Sequence, residues 1–173
     1  MNSAPSLQLQ SVVEAFGRQG WHCEAVEGRE VIEANFEAHH THVHLYAQVF
    51  PQLNALSIVA EAPLVPSPPH LPSMLELLMR ANKQLTLGAF EFDFDRKQLV
   101  FRITNLFERE RYDADLVSSM VHCAIAELDR ITPLLGTLLR TPPALLADFS
   151  LPLLLERDDL LPPTGEFEEE EEL

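Results

Sequence analysis

Asn82-Lys83-Gln84-Leu85-Thr86-Leu87-Gly88-Ala89-Phe90-Glu91-Phe92-Asp93-Phe94-Asp95-Arg96-Lys97-Gln98-Leu99-Val100-Phe101-Arg102-Ile103-Thr104 reads as a β-hairpin. Apolar and acidic residues alternate from Ala89 to Asp95, which places Phe90, Phe92 and Phe94 on one strand face and Glu91, Asp93 and Asp95 on the other. After the polar break Arg96-Lys97-Gln98, the apolar phase resumes at Leu99, Phe101 and Ile103. Matching the two apolar sets predicts the pairs Phe94 with Leu99, Phe92 with Phe101 and Phe90 with Ile103, and it sets Glu91 opposite Arg102. A slip of one residue would turn three phenylalanines out to water, so the facing is strongly specified. Phe92, at the middle of the apolar face, is the expected core anchor.

Upstream of the hairpin, residues 63–72 hold five prolines in ten positions, a stiff strap that can neither continue a sheet nor begin a helix early. Ser73 and Glu76 have the spacing of a capping box and predict a helix with Leu75, Leu78, Met79 and Asn82 along one side. Before the strap, from Trp21 to Glu61, the pattern has period two. Breaks at 27–29, 39–41 and 51–54 divide it into three or four antiparallel strands. Ile32, Ala34, Phe36 and Ala38 share one face, answered by Val43, Leu45, Ala47 and Val49 and then by Leu56, Ile58 and Ala60. At the start of the chain Ser6 can cap a helix carrying Leu9, Val12, Val13 and Phe16, with Gly20 as its stop.

Downstream, a long helix begins at Asp113 and repeats apolar residues at Val117, Val121, Ala124, Leu128, Ile131, Leu135 and Leu138. Pro133 is expected to kink or end it. A leucine-rich segment from Ala144 to Leu161 follows, interrupted by prolines. Together with Leu134, Leu139 and Phe149 it exceeds what one helical stripe can bury, so it must dock on the domain or on a partner. The last stretch, Glu166 to Glu172, has nothing to bury and is expected to be disordered. The predicted organisation is therefore a domain over residues 1–140, a Pro/Leu-rich extension over 141–163 and an acidic tail over 164–173.

The run Asn82, Gly88, Phe90, Glu91, Asp93 resembles the Asn…Gly-x-Phe-Glu-x-Asp signature of YbjN-like domains, particularly their cyanobacterial branch. The strand Leu45-Tyr46-Ala47-Gln48-Val49 and the helix segment with Asp129 and Pro133 are similar in kind and order, so the resemblance spans roughly residues 7–140. It implies a fold like that of type III secretion chaperones and a binding or regulatory role without established chemistry. The chain departs from the family pattern at Lys83, where a tyrosine is usual, in the histidines at 39–44, and in the acidic tail.

Composition limits the partners. With 27 acidic and 12 basic side chains the formal net charge is −15, and −9 remains when the six glutamates between Glu166 and Glu172 are set aside. Nucleic acid and anionic membrane are poor partners, because two lysines and ten arginines lie scattered among carboxylates. No apolar run reaches the ~18 residues of a membrane span and the N-terminus lacks a signal-peptide layout, so a soluble cytoplasmic protein is expected. Cys23 and Cys123 lack the CxxC spacing of zinc or redox sites and read as reduced, structural thiols.

Three polar groupings are candidates for chemistry. His39, His40, His42 and His44 form the first. His42 and His44 lie about 7 Å apart on one strand face and could grip a metal, but no further ligand completes a tetrahedral set, and the simpler reading is a solvated hairpin tip. Glu91, Asp93 and Asp95 could form a carboxylate array, although a facing Arg102 marks an ordinary wet sheet surface. Ser118, Ser119 and His122 lie close on the long helix without any oxyanion device. With six glycines in the chain there is no phosphate-binding loop. No catalytic, cofactor or metal residue is assigned and no cofactor is expected.

The fold expected is α+β: a twisted antiparallel sheet of five to six strands with three helices on one face, in the order α-β(3 to 4)-α-β-β-α, like type III secretion chaperones. The function expected is non-enzymatic binding of a protein, either a client or a second copy in a homodimer. The alternatives are a small-ligand or metal sensor built on His39–His44, or an unrecognised enzyme.

Overall fold

The structure, a computed structural model, describes residues 4–157. Its elements run α1 (Leu7–Arg18), β1 (Glu24–Ala25), β2 (Val31–Glu37), β3 (His42–Phe50), β4 (Ala55–Ala62), α2 (Leu71–Asn82), β5 (Ala89–Asp93), β6 (Gln98–Leu106), α3 (Ala114–Arg140) and α4 (Leu151–Leu155). Six strands form one antiparallel sheet in the order β1-β2-β3-β4-β6-β5. This is the predicted α+β architecture and element order, with β1 as a two-residue edge and α4 as an additional short helix.

One face of the sheet is the core. Ile32, Leu45, Ile58, Ala60, Leu99 and Phe101 are fully buried there, in the alternation read from the sequence, and they meet Leu9, Val12 and Phe16 of α1 and Val117, Val121 and Leu128 of α3 in a single cluster. α3 packs across β4 and β6, α2 lies against β5, and α1 sits beside α3. Ser6 caps α1, its Oγ accepting the Leu9 N–H at 3.1 Å while donating to Glu30 Oε2. Val13, expected inside, is exposed, and the buried phase of α1 includes Gln8 and Ser11 instead.

The hairpin keeps its predicted faces but not its predicted register. Phe90 pairs with Phe101 and Phe92 with Leu99, two residues away from the expected alignment, and Glu91 stands opposite Val100. Asp93 decides this. Its Oδ1 accepts the N–H groups of Asp95 and Arg96, both at 2.9 Å, an Asx turn that ends the strand at Asp93 and leaves Phe94 in the turn. Phe94 is 64% exposed and Phe90 only 1%, so the anchor is Phe90 rather than the half-buried Phe92. A two-residue shift preserves side-chain facing, which is why alternation could not detect it.

Two helix boundaries also differ from expectation. α2 starts at Leu71, with His70 at its N-cap position and no side-chain cap, so Ser73 lies inside the helix. Pro72 fits the first turn, where a missing N–H costs nothing, and Glu76 binds Arg80 one turn on rather than reaching back. α3 runs through Pro133 to Arg140. Proline in a helix costs about 3 kcal/mol, but Ile131, Leu134, Leu135 and Leu138 are all buried around it, each worth about 1.5–3 kcal/mol, so burial wins. At the start of α3 Asp113, expected as the first residue of the helix, is its N-cap, accepting from Asp115 and Leu116 N–H.

After α3 the chain folds back through a 3-10 turn at Pro143–Asp148, and α4 lies on α2 with Leu151 and Leu154 buried in the core. Leu145 and Leu153 face outward. Residues 158–163 of the predicted extension and the whole acidic tail, with the expectation of its disorder, fall outside the described residues.

Candidate functional site

The other face of the sheet carries the opposite phase of the same strands, and the residues of that phase form a broad concavity. It has a volume of about 890 Å³, with Tyr46 and Gln48 of β3, Val59 and Glu61 of β4, and Val100 and Arg102 of β6 across its floor. Arg29 and Glu30 stand at one side, Glu91, Asp93 and Arg96 at the other. β4 supplies its centre: Ser57, Val59 and Glu61 are buried there by their long neighbours, although the helices pack on the opposite face.

Two ion pairs cross this surface. Glu61, with 4% of its side chain exposed, meets the guanidinium of Arg96 through both oxygens, Oε1 at 2.5 Å from Nη1 and Oε2 at 3.3 Å from Nη2. Arg96 comes from the β5–β6 turn. The Glu61 carboxylate, and after it Tyr46, holds the Arg96 guanidinium above its ordinary pKa. Arg102 Nε donates to Glu91 at 3.0 Å and 3.1 Å, and Arg102 Nη1 reaches Ser57 Oγ at 3.4 Å, where Thr104 Oγ1 also donates at 2.9 Å. The Glu91–Arg102 contact predicted from sequence is thus present, but diagonally, because Ala89 is the residue opposite Arg102.

The histidines separate onto different partners. His40 donates its backbone N–H to Asp129 Oδ1 at 2.6 Å, and its ring Nδ1 lies 3.2 Å from Oδ2, so the β2–β3 tip is pinned to α3 through a buried carboxylate. His39 reaches the same carboxylate at 3.8 Å. His42 and His44 instead lie beside Glu37 and Glu33, at 2.8 Å and 3.3 Å, and His44 Nδ1 is 2.8 Å from Asn35 Oδ1. Among the described residues no group of three or more His, Cys, Asp or Glu side chains is arranged to hold a metal ion.

The other candidates are dispersed as well. Glu91 and Asp93 both reach the edge of the open face, but Asp93 is engaged in its turn, Glu91 holds Arg102 and Asp95 lies beyond the strand, so the expected array is not assembled. Ser118 and Ser119 hydroxyls donate to the carbonyls of Ala114 and Asp115, and the His122 ring packs edge-on against Trp21 at 5.1 Å. Cys23 and Cys123 are free thiols, pushed up in pKa by burial, with Glu127 adding to the effect on Cys123.

Sequence reasoning missed Glu61–Arg96 and His70. Glu61 is the lone charge in the strand Ala55–Ala62, a signal that was available, whereas Arg96 resembled any polar turn residue. His70 is buried in the proline strap. Its Nδ1 accepts from the Ser67 hydroxyl at 2.6 Å and its Nε2–H donates to the Thr141 carbonyl at 2.8 Å, tying the strap to the end of α3.

Asn82 explains the sequence signature around it. From the end of α2 its amide binds Phe90 twice, Nδ2 donating to the Phe90 carbonyl at 3.0 Å and Oδ1 accepting the Phe90 N–H at 2.7 Å. Gly88 lies just before, at φ +71°, where a Cβ would fall 2.5 Å from the Phe101 ring and 2.8 Å from the Arg102 carbonyl oxygen. Asn82 and Gly88 together deliver β5 to the sheet, and the model of the family "YbjN: Putative bacterial sensory transduction regulator" matches residues 8–136, which include both. The chain belongs to the YbjN family. Two solved structures share the family's fold with this chain. One, described as the crystal structure of YbjN, a putative transcription regulator from E. coli, is 10% identical, with a TM-score of 0.58 over 82% of this chain and 99% of that one. The other, ExsC in the crystal structure of the ExsC-ExsE complex, is 12% identical, with a TM-score of 0.56 over 72% of this chain and 90% of that one. No curated protein matches the sequence. No helix of the described residues is long and apolar enough to cross a membrane.

Proposed function

We propose that this protein is a non-enzymatic, protein-binding regulatory module of the cytoplasm, and that it receives its partner on the open face of the sheet. The observation that carries this reading is the concavity over β4. It sets Val59 and Val100 among polar and charged side chains of its floor and rim, a mixture suited to a polypeptide. The family's description as a regulator and the fold shared with ExsC, seen in complex with ExsE, support a protein partner. An enzymatic site is disfavoured because the polar groups of the face satisfy one another: Glu61 holds Arg96, Glu91 holds Arg102, and Ser57 receives Arg102 and Thr104. The histidines serve structure, His40 as the pin to Asp129 and His42 and His44 as partners of surface glutamates. In this reading residues 1–140 are the domain, 141–163 an extension whose α4 lies against α2, and 164–173 an acidic tail. The run Asn82, Gly88, Phe90, Glu91, Asp93 resembles that of the cyanobacterial branch, and this resemblance supports assigning the chain to it.

Site-specific photo-crosslinking in cells tests the face. A benzophenone side chain at Gln48 on the concavity should give a discrete protein adduct, either with another protein or, for a homodimer, at twice the chain's mass. The same group at the exposed Val13 of α1 serves as the control. Equal adducts at both positions, or none at Gln48, would overturn the reading.

A further inference from the structure

The C-terminal extension covers part of the helical layer, and little holds it there. Of residues 142–157 only Leu151 and Leu154, both on α4, are buried, while Leu146, Phe149 and Leu155 are partly buried against the core. The hydrogen bonds of residues 142–156 stay within the segment, as from Leu145 N–H to the Pro142 carbonyl and from Leu154 N–H to the Ser150 carbonyl. The root of the extension is firmer, because the His70 imidazole holds the Thr141 carbonyl at 2.8 Å. α4 is therefore a short apolar plug on a tether, fastened at one end and seated by two leucines.

The helix under the plug is longer than the plug. α2 has 12 residues, about 18 Å of helix, whereas α4, which lies against it, has 5, about 7.5 Å. Apolar side chains are left in water on both, Met79 of α2 at 61% exposed and Leu153 of α4 at 63%. α4 is also a weak helix, since so short a run does not hold without tertiary support, Pro152 lies in its first turn and no side chain caps it. A longer helix with the same leucine spacing would make the same contacts and run further along α2. The family match ends at residue 136, so α2 lies inside the matched part of the chain and its cover outside.

Beyond the open face, we propose that α2 is a second interaction surface, which takes an amphipathic helix of a partner protein, with leucines three and four residues apart, in place of α4. The extension is the internal ligand of this surface. Leu151 and Leu154 show what it accepts, two leucines on one side of a helix. The tether at Thr141 keeps α4 at high effective concentration, so the surface opens only to a helix that binds better than α4 does, and it closes again when the partner leaves.

A fluorescein-labelled peptide tests this by fluorescence anisotropy on the full-length protein: an Ala/Glu/Lys helix about as long as α2, with leucines alternately three and four residues apart. Its counterpart has the same composition with leucines at every second residue, which cannot line one side of a helix. The native protein should prefer the first peptide, and as it binds, the methyl NMR signals of Leu151 and Leu154 should move to the positions of leucines in water. A surface open about one-tenth of the time binds about tenfold more weakly than an open one, so Leu151→Ser with Leu154→Ser, which unseats α4, should tighten binding of the first peptide by about tenfold or more. Leu154→Ala covers the case in which the double variant does not fold, and it should tighten binding by about threefold. Absence of peptide binding, affinity unchanged by the leucine substitutions, equal affinity for the two peptides, or Leu151 and Leu154 signals that stay in place while peptide is bound would each overturn the proposal. Self-association of the double variant without any effect of peptide would overturn it in favour of a second copy as occupant. Failure here leaves the crosslinking at Gln48 untouched, and failure at Gln48 leaves this surface standing, because α2 and the concavity lie on opposite sides of the sheet.

Discussion

Replacing Asn82 by alanine removes both hydrogen bonds that tie the end of α2 to β5. The lost bonds are the 2.7 Å bond from the Phe90 N–H and the 3.0 Å bond to the Phe90 carbonyl, in a partly buried setting beside the fully buried Phe90 ring. Each net hydrogen bond is worth about 0.5–1.5 kcal/mol, and a backbone group left unpaired away from water costs about 1–3 kcal/mol. Partial access of water to the edge of β5 pulls the total toward the lower end, giving about 2–3 kcal/mol for Asn82→Ala. For a chain of this size that corresponds to a fall in Tm of roughly 4–12 °C. Lys83→Ala, one residue on and exposed, should change stability by less than about 0.5 kcal/mol. Urea unfolding of both variants, with the m-value monitored, is the measurement, and hydrogen exchange at the Phe90 amide locates the loss. A cost below about 0.5 kcal/mol for Asn82→Ala, or unchanged protection at Phe90, would refute the view that this amide carries the edge of the sheet.

Phe90→Ala should cost about 3–5 kcal/mol while Phe94→Ala stays within about 0.5 kcal/mol, and equal losses in denaturant titrations would contradict the observed hairpin register. Gly88→Ala should destabilise by about 2–4 kcal/mol through its clash with the Phe101 ring and Arg102 carbonyl and its left-handed backbone, read as a lowered Tm; a neutral result would show that the β5 entry can relax. Burial raises the folded-state pKa values of Cys23 and Cys123, and of Tyr112 with Glu30 adding to the effect. Their contribution to stability is therefore complete below each group's unfolded-state value and lost as pH rises through the raised folded-state one. Native thiols should accordingly alkylate more slowly at pH 8 than those of the urea-unfolded chain, and equal rates would contradict their burial.

Much of the fold could be read from alternation, because a sheet with one apolar face writes a period of two into each strand. Ile32, Leu45, Ile58 and Phe101 all lie where that period puts them. Where the reading erred, a local interaction competed with a pattern that was blind to it. A two-residue shift of the hairpin leaves every face unchanged, so the Asx turn at Asp93 set the register. Proline at 133 carried a local penalty that buried leucines on either side outweighed, and the capping box at Ser73 yielded to a start three residues earlier. The concavity was harder to foresee. Its pieces come from β3, β4, β6 and a turn, and only pairing of β4 with β6 brings Glu61 within reach of Arg96. The signature at Asn82 and Gly88 was recognised as a pattern, while its physical cause required the geometry.

The pairing of β4 with β6 also imposes an order in time. Its nearest partners, Ala62 and Leu99, are 37 residues apart in the chain, and its farthest, Ala55 and Leu106, are 51 apart. Closing the shorter of these loops costs about 2 kcal/mol more chain entropy than closing the four-residue turn of the β5–β6 hairpin. The meander β2-β3-β4 and the hairpin β5–β6 can each assemble from near neighbours, but the sheet becomes continuous only when the strap and α2 have carried one to the other. The seam holding Ile58 against Ile103 and Ala60 against Phe101 is therefore the most entropically costly pairing in the sheet, and until it closes each half presents a bare strand edge to the solvent.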